Sequence, residues 1–434
     1  MANEAEELLN YAREELKELQ EQGCDTWELE RQAAQIESSD EPNKLSKAQS
    51  LCEALAGLRP APSFPYEEPS ELEPIRSLRP EGPRHIAVPL SDAQLDDKTL
   101  GAWAGRIAGC MLGKPVEGWD YNRILDLLDA CGLEGLDDYV PECPGMKLPD
   151  WAGPCLRGNI TRALRDDDVD YTIIGLRILE EHGRSFQPEQ VAQFWLSHLP
   201  YHQTYTAERV AYRNFINGFH PPESAAHRNP YREWIGAQIR ADAFGYACPG
   251  RLEEAAGLAF KDASISHVKN GIYGEMWVAA MLAAAFVAPD ADRALALSLT
   301  EIPSNCRLAE AINAVRSWRE EDIPAREAIG RIIDQFGHYH GVHTINNAAI
   351  VAMALLWGGG DFTRTIGLAV EAGWDTDCNG ATAGSVMGAL IGADALPGHW
   401  VEPLGDRVET AVFGESALTI SGLAERTRRI QKAE

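Results

Sequence analysis

The sequence has few of the features that mark membrane, secreted or nucleic-acid-binding proteins. Its longest apolar run, residues 276–288, is too short to span a bilayer, which takes roughly 20 residues. The N-terminal stretch MANEAEELLN lacks the basic and apolar regions of a secretion signal. Acidic residues outnumber basic ones by 66 to 39, which gives a net charge of −27. This charge disfavours nucleic acids and anionic membranes as partners.

Cysteine pairs at metal-site spacing are missing as well. The nine cysteines are scattered, with no CxxC pair and no Cys/His cluster at the spacing of a zinc finger. An odd and dispersed set is typical of reduced thiols rather than of a disulfide framework. We therefore expect a cytoplasmic protein.

Alternating strand patterns are almost absent, and helical periodicity dominates from Leu90 onward. Turn signals rich in glycine, proline and aspartate separate the segments that carry apolar residues at helical spacing. These segments are residues 98–113, 169–182, 188–198, 272–288, 306–319, 325–336, 345–357 and 362–373. The pattern predicts an all-α fold with a compact multi-helix domain.

The first ninety residues have a different composition from the rest. Residues 1–58 show amphipathic helical spacing, and eight prolines interrupt the chain from Pro60 to Pro89. We place a boundary near residue 90, so that 1–90 is a helical N-terminal extension with a proline-rich connection and 91–434 is the all-α domain. The extension is interpreted as a helical cap or an oligomerisation arm, with a solvated appendage as the alternative.

One segment inside the all-α domain has no clear period. Residues 131–165 are rich in glycine and proline, and long irregular segments of this kind are often functional loops. Arg157, Asn159 and Arg162 lie in it and can be placed near the phosphates of a ligand.

Two rows of glycines recur at steps of four residues. They are Gly101, Gly105, Gly109 and Gly113 in one helical segment, and Gly380, Gly384, Gly388 and Gly392 in another. A glycine inside a helix costs about 1 kcal/mol relative to alanine. We expect close approach of the two helices to offset that cost. The alternative is a pair of ordinary core helices with acidic residues nearby.

Carboxylates cluster at two junctions between a turn and a helix. Asp166, Asp167 and Asp168 precede a helical segment, and Asp375 and Asp377 precede the second glycine row. One aspartate is explained as a helix cap, whereas three adjacent ones repel each other unless a cation neutralises them. Oxygen-only ligand sets favour Mg²⁺, Ca²⁺ or Mn²⁺. We predict a metal site with one or two ions, against the alternative of solvated caps.

Five stretches in order resemble the ADP-ribosylglycohydrolase family. They are GRIAGCMLGKPVE from Gly105 to Glu117, DDDVDYT at 166–172, SISH at 264–267, HTINNAAIVAMALL at 343–356, and GWDTDCNGATAGSVMGALIGADALPGHW at 373–400. The second stretch stands in the place of that family's Thr-Asp-Asp-Thr element, and the last in the place of its closing Asp-x-Asp signature. The resemblance covers residues 98–400.

The resemblance implies an all-α fold around two magnesium or manganese ions. By position, Asp167 and Asp168 match the aspartate ligands of the first element, and Asp375 and Asp377 match the later ligands. Asp166 stands where the family has threonine. Cys378 stands where a ligating threonine or serine is common, and a thiol binds hard cations poorly. We expect the extra carboxylate of Asp166 to compensate.

The same resemblance implies an activity on ribosyl bonds. Glu117 and Asp168 are the expected catalytic residues, with Glu117 as the free acid or base and a plain helix-terminal glutamate as its alternative. The expected substrate-binding residues are His267, His343, Asn346 and Trp374, although buried histidines or a buried tryptophan are ordinary core features.

Three functions follow from these observations. The first is a metal-dependent glycohydrolase that cleaves the ribosyl glycosidic bond of ADP-ribose or an ADP-ribosyl conjugate. The second is hydrolysis of a nucleoside or another small N-glycoside on the same metal site, which is kept open by the departures at Asp166, Val169, Trp374 and Cys378. The third is a non-enzymatic structural descendant, and the retained carboxylates argue against it.

Overall fold

The N-terminal extension is a small helical bundle with a core of its own. The computed structural model describes residues 2–38, 43–87, 89–143 and 145–433, so residues 39–42, Val88 and Pro144 of the segments predicted above lie outside the described residues. The bundle consists of α1 (Ala2–Glu21), α2 (Trp27–Glu37) and α3 (Lys44–Ala56). Leu9, Leu16 and Leu51 are buried in one cluster that these helices share.

The proline-rich connection contains one short helix, α4 (Leu72–Ser77). Pro74 lies in the first turn of α4, where its missing N–H costs no helical hydrogen bond. The rest of residues 57–91 that the structure describes has no helix. The connection runs over the surface of the all-α domain, where Tyr273 donates a hydrogen bond to the carbonyl of Pro69.

Residues 92–433 form the all-α domain, and the described part of it contains isolated β-bridges but no strand. Its helices are α5 (Asp92–Gly113), α6 (Tyr121–Cys131), α7 (Asp167–His182), α8 (Pro188–His198), α9 (Thr206–Ile216), α10 (Glu223–Ala226), α11 (Asp242–Ala247), α12 (Leu252–Ala263), α13 (Lys269–Ala285), α14 (Ala291–Ser298), α15 (Arg307–Glu320), α16 (Ala325–Phe336), α17 (Thr344–Gly358), α18 (Phe362–Glu371), α19 (Thr376–Ile391), α20 (Gly398–Val401) and α21 (Ile420–Lys432). The predicted all-α class is confirmed.

Each of the eight predicted helical segments corresponds to a helix, but several boundaries moved. The first begins at Asp92 rather than residue 98, because Ser91 and Gln94 form a capping box before the apolar pattern starts. In the all-α domain, the helices that were not predicted are α6, α9, α12, α14 and α21, and the short α10, α11 and α20. The irregular segment 131–165 is confirmed for its described residues, whose longest regular piece after Cys131 is the one-turn 3-10 helix Gly153–Cys155.

The two glycine rows meet, as their spacing predicts. A Cβ atom on Gly105 would lie 2.2 Å from the carbonyl oxygen of Gly384, and one on Gly109 would lie 1.9 Å from that of Gly380. The backbones of α5 and α19 are therefore in direct contact, in antiparallel order. Gly392 departs from the row, since it ends α19 with φ +83° and lies against Asp97.

The buried helices α13 and α17 complete the centre of the domain. Both are hydrophobic on all sides, and almost every residue in them is buried. Among the described residues, the structure contains no helix with the length and apolar character needed to cross a membrane.

Candidate metal centre

The end of α5 and the start of α19 are joined by hydrogen bonds, and this joint carries the acidic residues. The Thr376 hydroxyl donates to the carbonyl of Gly113 at 2.8 Å. Trp374 donates its N–H to Trp119 at 2.7 Å and accepts from Gly118 at 2.9 Å. The turn that carries Glu117 is thus fixed against the turn that carries Asp375.

Asp166 caps α7 and has a partner on each carboxylate oxygen. Its Oδ1 accepts from the N–H of Asp168 at 3.0 Å, and its Oδ2 accepts from the ammonium of Lys114. A cation that bound Asp166 would share the carboxylate with these donors and would lie beside the positive charge of Lys114. Metal binding by Asp166, expected to compensate for Cys378, stays a prediction. The positive charge of Lys114 at that carboxylate disfavours a cation there.

Asp168 is held by a buried arginine. The Arg106 guanidinium donates to the carboxylate of Asp168 at 3.2 Å and to its carbonyl oxygen at 2.7 Å, and it also pairs with Asp242 at 2.9 Å. The thiol of Cys378 donates to the other carboxylate oxygen of Asp168, with 3.1 Å between sulfur and oxygen. Asp168 therefore has a fixed orientation at the first turn of α7.

Two groups of three side chains share Asp377. One contains Asp168, Asp377 and Cys378, and the other contains Glu117, Asp375 and Asp377; within each group the potential ligand atoms lie within 4.8 Å of one another. The Oδ1 atom of Asp377 is buried and has no hydrogen-bond partner. A buried carboxylate oxygen without a partner is costly, and a divalent cation would satisfy it. The residues present therefore fit a hard cation.

The carboxylates of this centre raise one another's pKa values. Burial, reinforced by the neighbouring negative charges, raises the pKa values of Asp167, Asp168 and Asp375 well above their usual range. Burial and the charge of Asp166 raise the pKa of Asp377 to about 6. The charge of Asp377 is the main cause of the raised pKa of Glu117. The raised pKa values favour the protonated carboxyl groups, and a divalent ion would favour the deprotonated ones.

The centre opens into a cavity of about 360 Å³. One set of lining residues consists of the carboxylates, Lys114, Arg165 and Cys378, and the second set comes from α9, the segment before α11 and the turn before α17. The lining residues in the second set include Tyr205, Thr206, Glu208, Trp234, Ile235, Gly236, Ile239 and Val342.

Most of the chain matches a known protein family. Residues 91–431 match the family model described as ADP-ribosylglycohydrolase, which covers most of the chain. The chain belongs to the ADP-ribosylglycohydrolase family. Membership indicates glycohydrolase activity and, in general terms, an enzyme.

Two other proteins are similar to this chain over much of its length. An uncharacterized protein of Archaeoglobus fulgidus is 24% identical over 323 residues, which cover 72% of this chain and 93% of that protein. A solved ADP-ribosylglycohydrolase-related protein complex is 20% identical, with a TM-score of 0.46, and the match covers 78% of this chain and 99% of that one.

The structure places all six residues that were predicted to bind metal at one cavity. Asp166, Asp167, Asp168, Asp375, Asp377, Cys378 and Glu117 all line the cavity. The four residues expected to bind substrate are not among the lining residues. His267 is buried and hydrogen-bonded to Ser266, with 2.8 Å between Nδ1 and the hydroxyl. His343 is buried and caps α17.

Asn346 and Trp374 act on the backbone around the site instead. The Asn346 amide donates to the carbonyl of His340 at 3.0 Å. Trp374 is half-buried and has φ +64°, a left-handed conformation that favours glycine. The Trp374 backbone in this conformation forms part of the joint between the ends of α5 and α19.

The loop residues expected near phosphates are engaged elsewhere. Arg157 pairs with Asp138 at 3.1 Å, Asn159 donates to the carbonyl of Gly153 at 3.0 Å, and Arg162 pairs with Glu409. The first two contacts lie within the irregular segment, and the third joins the segment to Glu409 of the all-α domain.

Several lining residues were missed by the sequence analysis. Lys114 directly follows the first glycine row, and its position beside the carboxylates could have been inferred from that adjacency. Glu208, Tyr205 and Trp234 lie in or near α9 and in an irregular segment, where no motif marks them. Asn347 was also missed; its side-chain oxygen accepts from the N–H of Asp375 at 3.4 Å and from Asn379 at 2.8 Å.

Proposed function

We propose that this chain is a Mg²⁺- or Mn²⁺-dependent glycohydrolase that cleaves the ribosyl glycosidic bond of ADP-ribose or an ADP-ribosyl conjugate. The observation that carries the proposal is the pair of acidic groups that share Asp377, with the unpartnered buried oxygen of that residue between them. The two groups suit two neighbouring ions, with Asp377 as the shared ligand.

Asp168, Asp375 and Asp377 would hold the ions, with Cys378 next to Asp168. A bound hard cation polarises the ribose hydroxyls and lowers the pKa of a coordinated water. The protein side chains supply the rest. Arg106 keeps Asp168 in one orientation. The side-chain oxygen of Asn347 accepts a hydrogen bond from the backbone N–H of Asp375 and holds that backbone in place.

Glu117 is the residue proposed to move the proton. It is more exposed than the other members of its group and faces the cavity, so water can reach its carboxylate. In the reaction, Glu117 accepts a proton from the attacking water as the water oxygen bonds to the anomeric carbon and the bond to the leaving nitrogen or oxygen breaks. The leaving group keeps the electron pair of the broken bond and takes up the proton that Glu117 gives back, so the carboxylate is restored. The surrounding carboxylates stabilise the positive charge that develops on the sugar.

A specific observation also favours the smaller substrate class. The cavity volume of about 360 Å³ lies near the low end of ligand pockets, which run from about 300 to 1,000 Å³. The cationic side chains Lys114 and Arg165, which line it, are already paired with Asp166 and Asp170. A nucleoside or another small N-glycoside needs no free cation for a diphosphate, so this second candidate stays open.

Hydrolysis of a substrate panel tests the proposal. The purified chain is incubated with Mg²⁺ and with ADP-ribosyl-arginine, ADP-ribosyl-serine, free nucleosides and nucleotides, and the released products are separated by chromatography. Release from the ADP-ribosyl compounds supports the main proposal, and release from nucleosides alone moves the function to the second candidate. A chain that hydrolyses none of them contradicts both.

Replacing Asp377 should remove that activity. Asp377→Asn keeps the size of the side chain but removes the charge that both acidic groups share. We expect kcat/KM to fall at least about a hundredfold. Loss of a residue that only hydrogen-bonds to a metal ligand already costs up to about a hundredfold. Asp126→Asn is the matched control, since Asp126 is exposed on α6 and does not line the cavity. Equal activity in the two variants would contradict a role of Asp377 as a metal ligand that the reaction requires.

A further inference from the structure

Residues 231–236 connect the N-terminal extension to the cavity. Trp234, Ile235 and Gly236 line the cavity, whereas Arg232 and Glu233 are buried on the side toward the extension. Some residues of this segment therefore lie at the proposed substrate site. Others contact the N-terminal extension, which precedes the residues that match the family.

Arg232 is paired with helix α1. Its guanidinium donates to the carboxylate of Glu15 at 2.7 Å and lies 3.7 Å from that of Glu18. Arg232 is 7% exposed and Glu15 is 4% exposed, so this ion pair is buried. The charge of a buried arginine is costly when its partner is removed. The position of Arg232 therefore depends on α1.

Glu233 is linked to the extension through Arg307. The Arg307 guanidinium donates to Glu233 at 2.7 Å, to the carboxylate of Glu68 at 2.8 Å and to the carbonyl oxygen of Glu21 at 2.9 Å. Glu68 belongs to the proline-rich connection and Glu21 ends α1. Glu233 is fully buried. The extension therefore supplies two of the groups that hold Arg307 against Glu233.

The neighbouring segment 340–344 is joined to residues 231–236 by hydrogen bonds and a ring contact. The N–H of Ile235 donates to the carbonyl of Val342 at 2.9 Å, and that of Thr344 donates to Glu233 at 3.2 Å. The Trp234 ring stacks on His340 with 4.1 Å between ring centroids and an angle of 11°. Val342 also lines the cavity, so the two segments form one wall of it.

His343 also lies against α1, and its ring is not placed to bind a metal through Nε2. Its Nε2 atom lies 3.5 Å from the carboxylate of Glu21, with Glu18 nearby, an arrangement that resembles a metal site. The Nδ1 atom, however, accepts from the N–H of Ile345 at 3.2 Å. The proton of the neutral ring is therefore on Nε2, which leaves that atom no lone pair for a metal.

We propose that the N-terminal extension positions the wall of the substrate cavity. Arg232 and Glu233 act as positioning residues. Because the extension fixes these two side chains, the adjoining residues 234–236 keep their place in the wall. The proposal rests on the proposed function only in taking the cavity as the substrate site.

Gly236 extends the effect to Glu208. A Cβ atom on Gly236 would lie 2.0 Å from Oε1 of Glu208, so the glycine backbone and the carboxylate are in contact. Glu208 lines the cavity and accepts from Arg240 at 2.7 Å. A shift of residues 231–236 would therefore move or loosen a carboxylate that faces the substrate.

Hydrogen–deuterium exchange on the full chain tests the proposal. The test variant is Glu15→Gln with Glu68→Gln, which removes one charge from the partners of each arginine. The matched control is Glu28→Gln with Glu53→Gln, two exposed positions of the same extension. We expect the amides of residues 231–236 and 340–344 to exchange at least tenfold faster in the test variant and at the wild-type rate in the control.

Binding of ADP-ribose in the presence of Mg²⁺, measured by calorimetry, gives the second readout. We expect Kd to rise at least tenfold in the test variant with the number of bound metal ions unchanged, which a general loss of folding would not produce. If the double variant fails to fold, Glu15→Gln alone is measured in the same way.

Unchanged exchange in both segments overturns the proposal, and so does faster exchange with unchanged affinity. A wild-type chain that binds no ADP-ribose counts against the proposed function instead. The exchange result then still decides whether the extension holds the wall.

Discussion

Single side chains decide how this centre treats a cation. Asp166 has both oxygens occupied, by Lys114 and by the N–H of Asp168, while Asp377 has one oxygen with no partner. Sequence position made these two aspartates look alike. Their hydrogen-bond partners distinguish them, and Asp377 is the residue best prepared to bind a metal ion.

Residue 378 should set the preference between hard and soft metals. Cys378→Ser replaces a thiol by a hydroxyl of similar size beside Asp168, so we expect Mg²⁺ to bind more tightly and Cd²⁺ more weakly than in the wild type. Calorimetric titration with each metal measures both affinities. Cys131→Ser is the control, since Cys131 lies in α6 outside the cavity lining. Unchanged affinities for both metals would show that residue 378 does not touch the ion.

The raised pKa of Asp377 makes stability depend on pH in a definite direction. The folded state binds its proton more tightly than the unfolded state, so stability of the metal-free chain is lost as pH rises from about 4 through about 6. Mg²⁺ binds the deprotonated carboxylate, so the rise in Tm that it causes should be larger at pH 8 than at pH 5. Thermal unfolding with EDTA and with Mg²⁺ measures this difference. An equal rise at both values would contradict the raised pKa.

At the scale of elements, the contact between α5 and α19 brings the acidic turns together. The contact requires bare backbone, since added Cβ atoms would lie within 2.5 Å of the opposite carbonyl oxygens at Gly101, Gly105 and Gly109. The start of α19 and the end of α5 are then close enough for Asp377 and Glu117 to belong to one group.

Alanine substitutions on two helical glycines test this contact. Gly109→Ala places a methyl group 1.9 Å from the Gly380 carbonyl, so we expect a loss of about 3 kcal/mol or more in the free energy of unfolding. Gly330→Ala, in α16, meets nothing within 4 Å and should raise stability by up to about 1 kcal/mol. Denaturant unfolding measures both. A Gly109→Ala variant as stable as the wild type would rule out the close contact.

For the whole molecule, the sequence allowed the fold class and one half of the cavity to be predicted. The glycine rows and the Asp-x-Asp stretch are periodic or clustered, and such patterns survive without knowledge of tertiary contacts. Glu208 and Trp234 could not be predicted in the same way, because their place in the cavity depends on how α9 and an irregular segment pack. Asp166 was expected to add a ligand. Its pairing with Lys114 is a tertiary contact, and the place of Lys114 directly after the first glycine row is the one sequence feature that points to it.

The N-terminal extension illustrates the same limit. Its leucines predicted an amphipathic bundle, and the structure buries them in a core within the extension. Glu15, Glu18 and Glu68 look like ordinary surface acids in the sequence. The structure pairs them with the buried Arg232 and Arg307 of the all-α domain. Oligomerisation through these helices stays a prediction.

Counting bound manganese tests the central claim most directly. The wild-type chain, Asp377→Asn and Asp126→Asn are each equilibrated with Mn²⁺, freed of unbound metal and analysed for manganese per chain. The account predicts one or two ions in the wild type and in Asp126→Asn, and fewer in Asp377→Asn. A wild-type chain that retains no manganese, or three chains that retain the same amount, would contradict it.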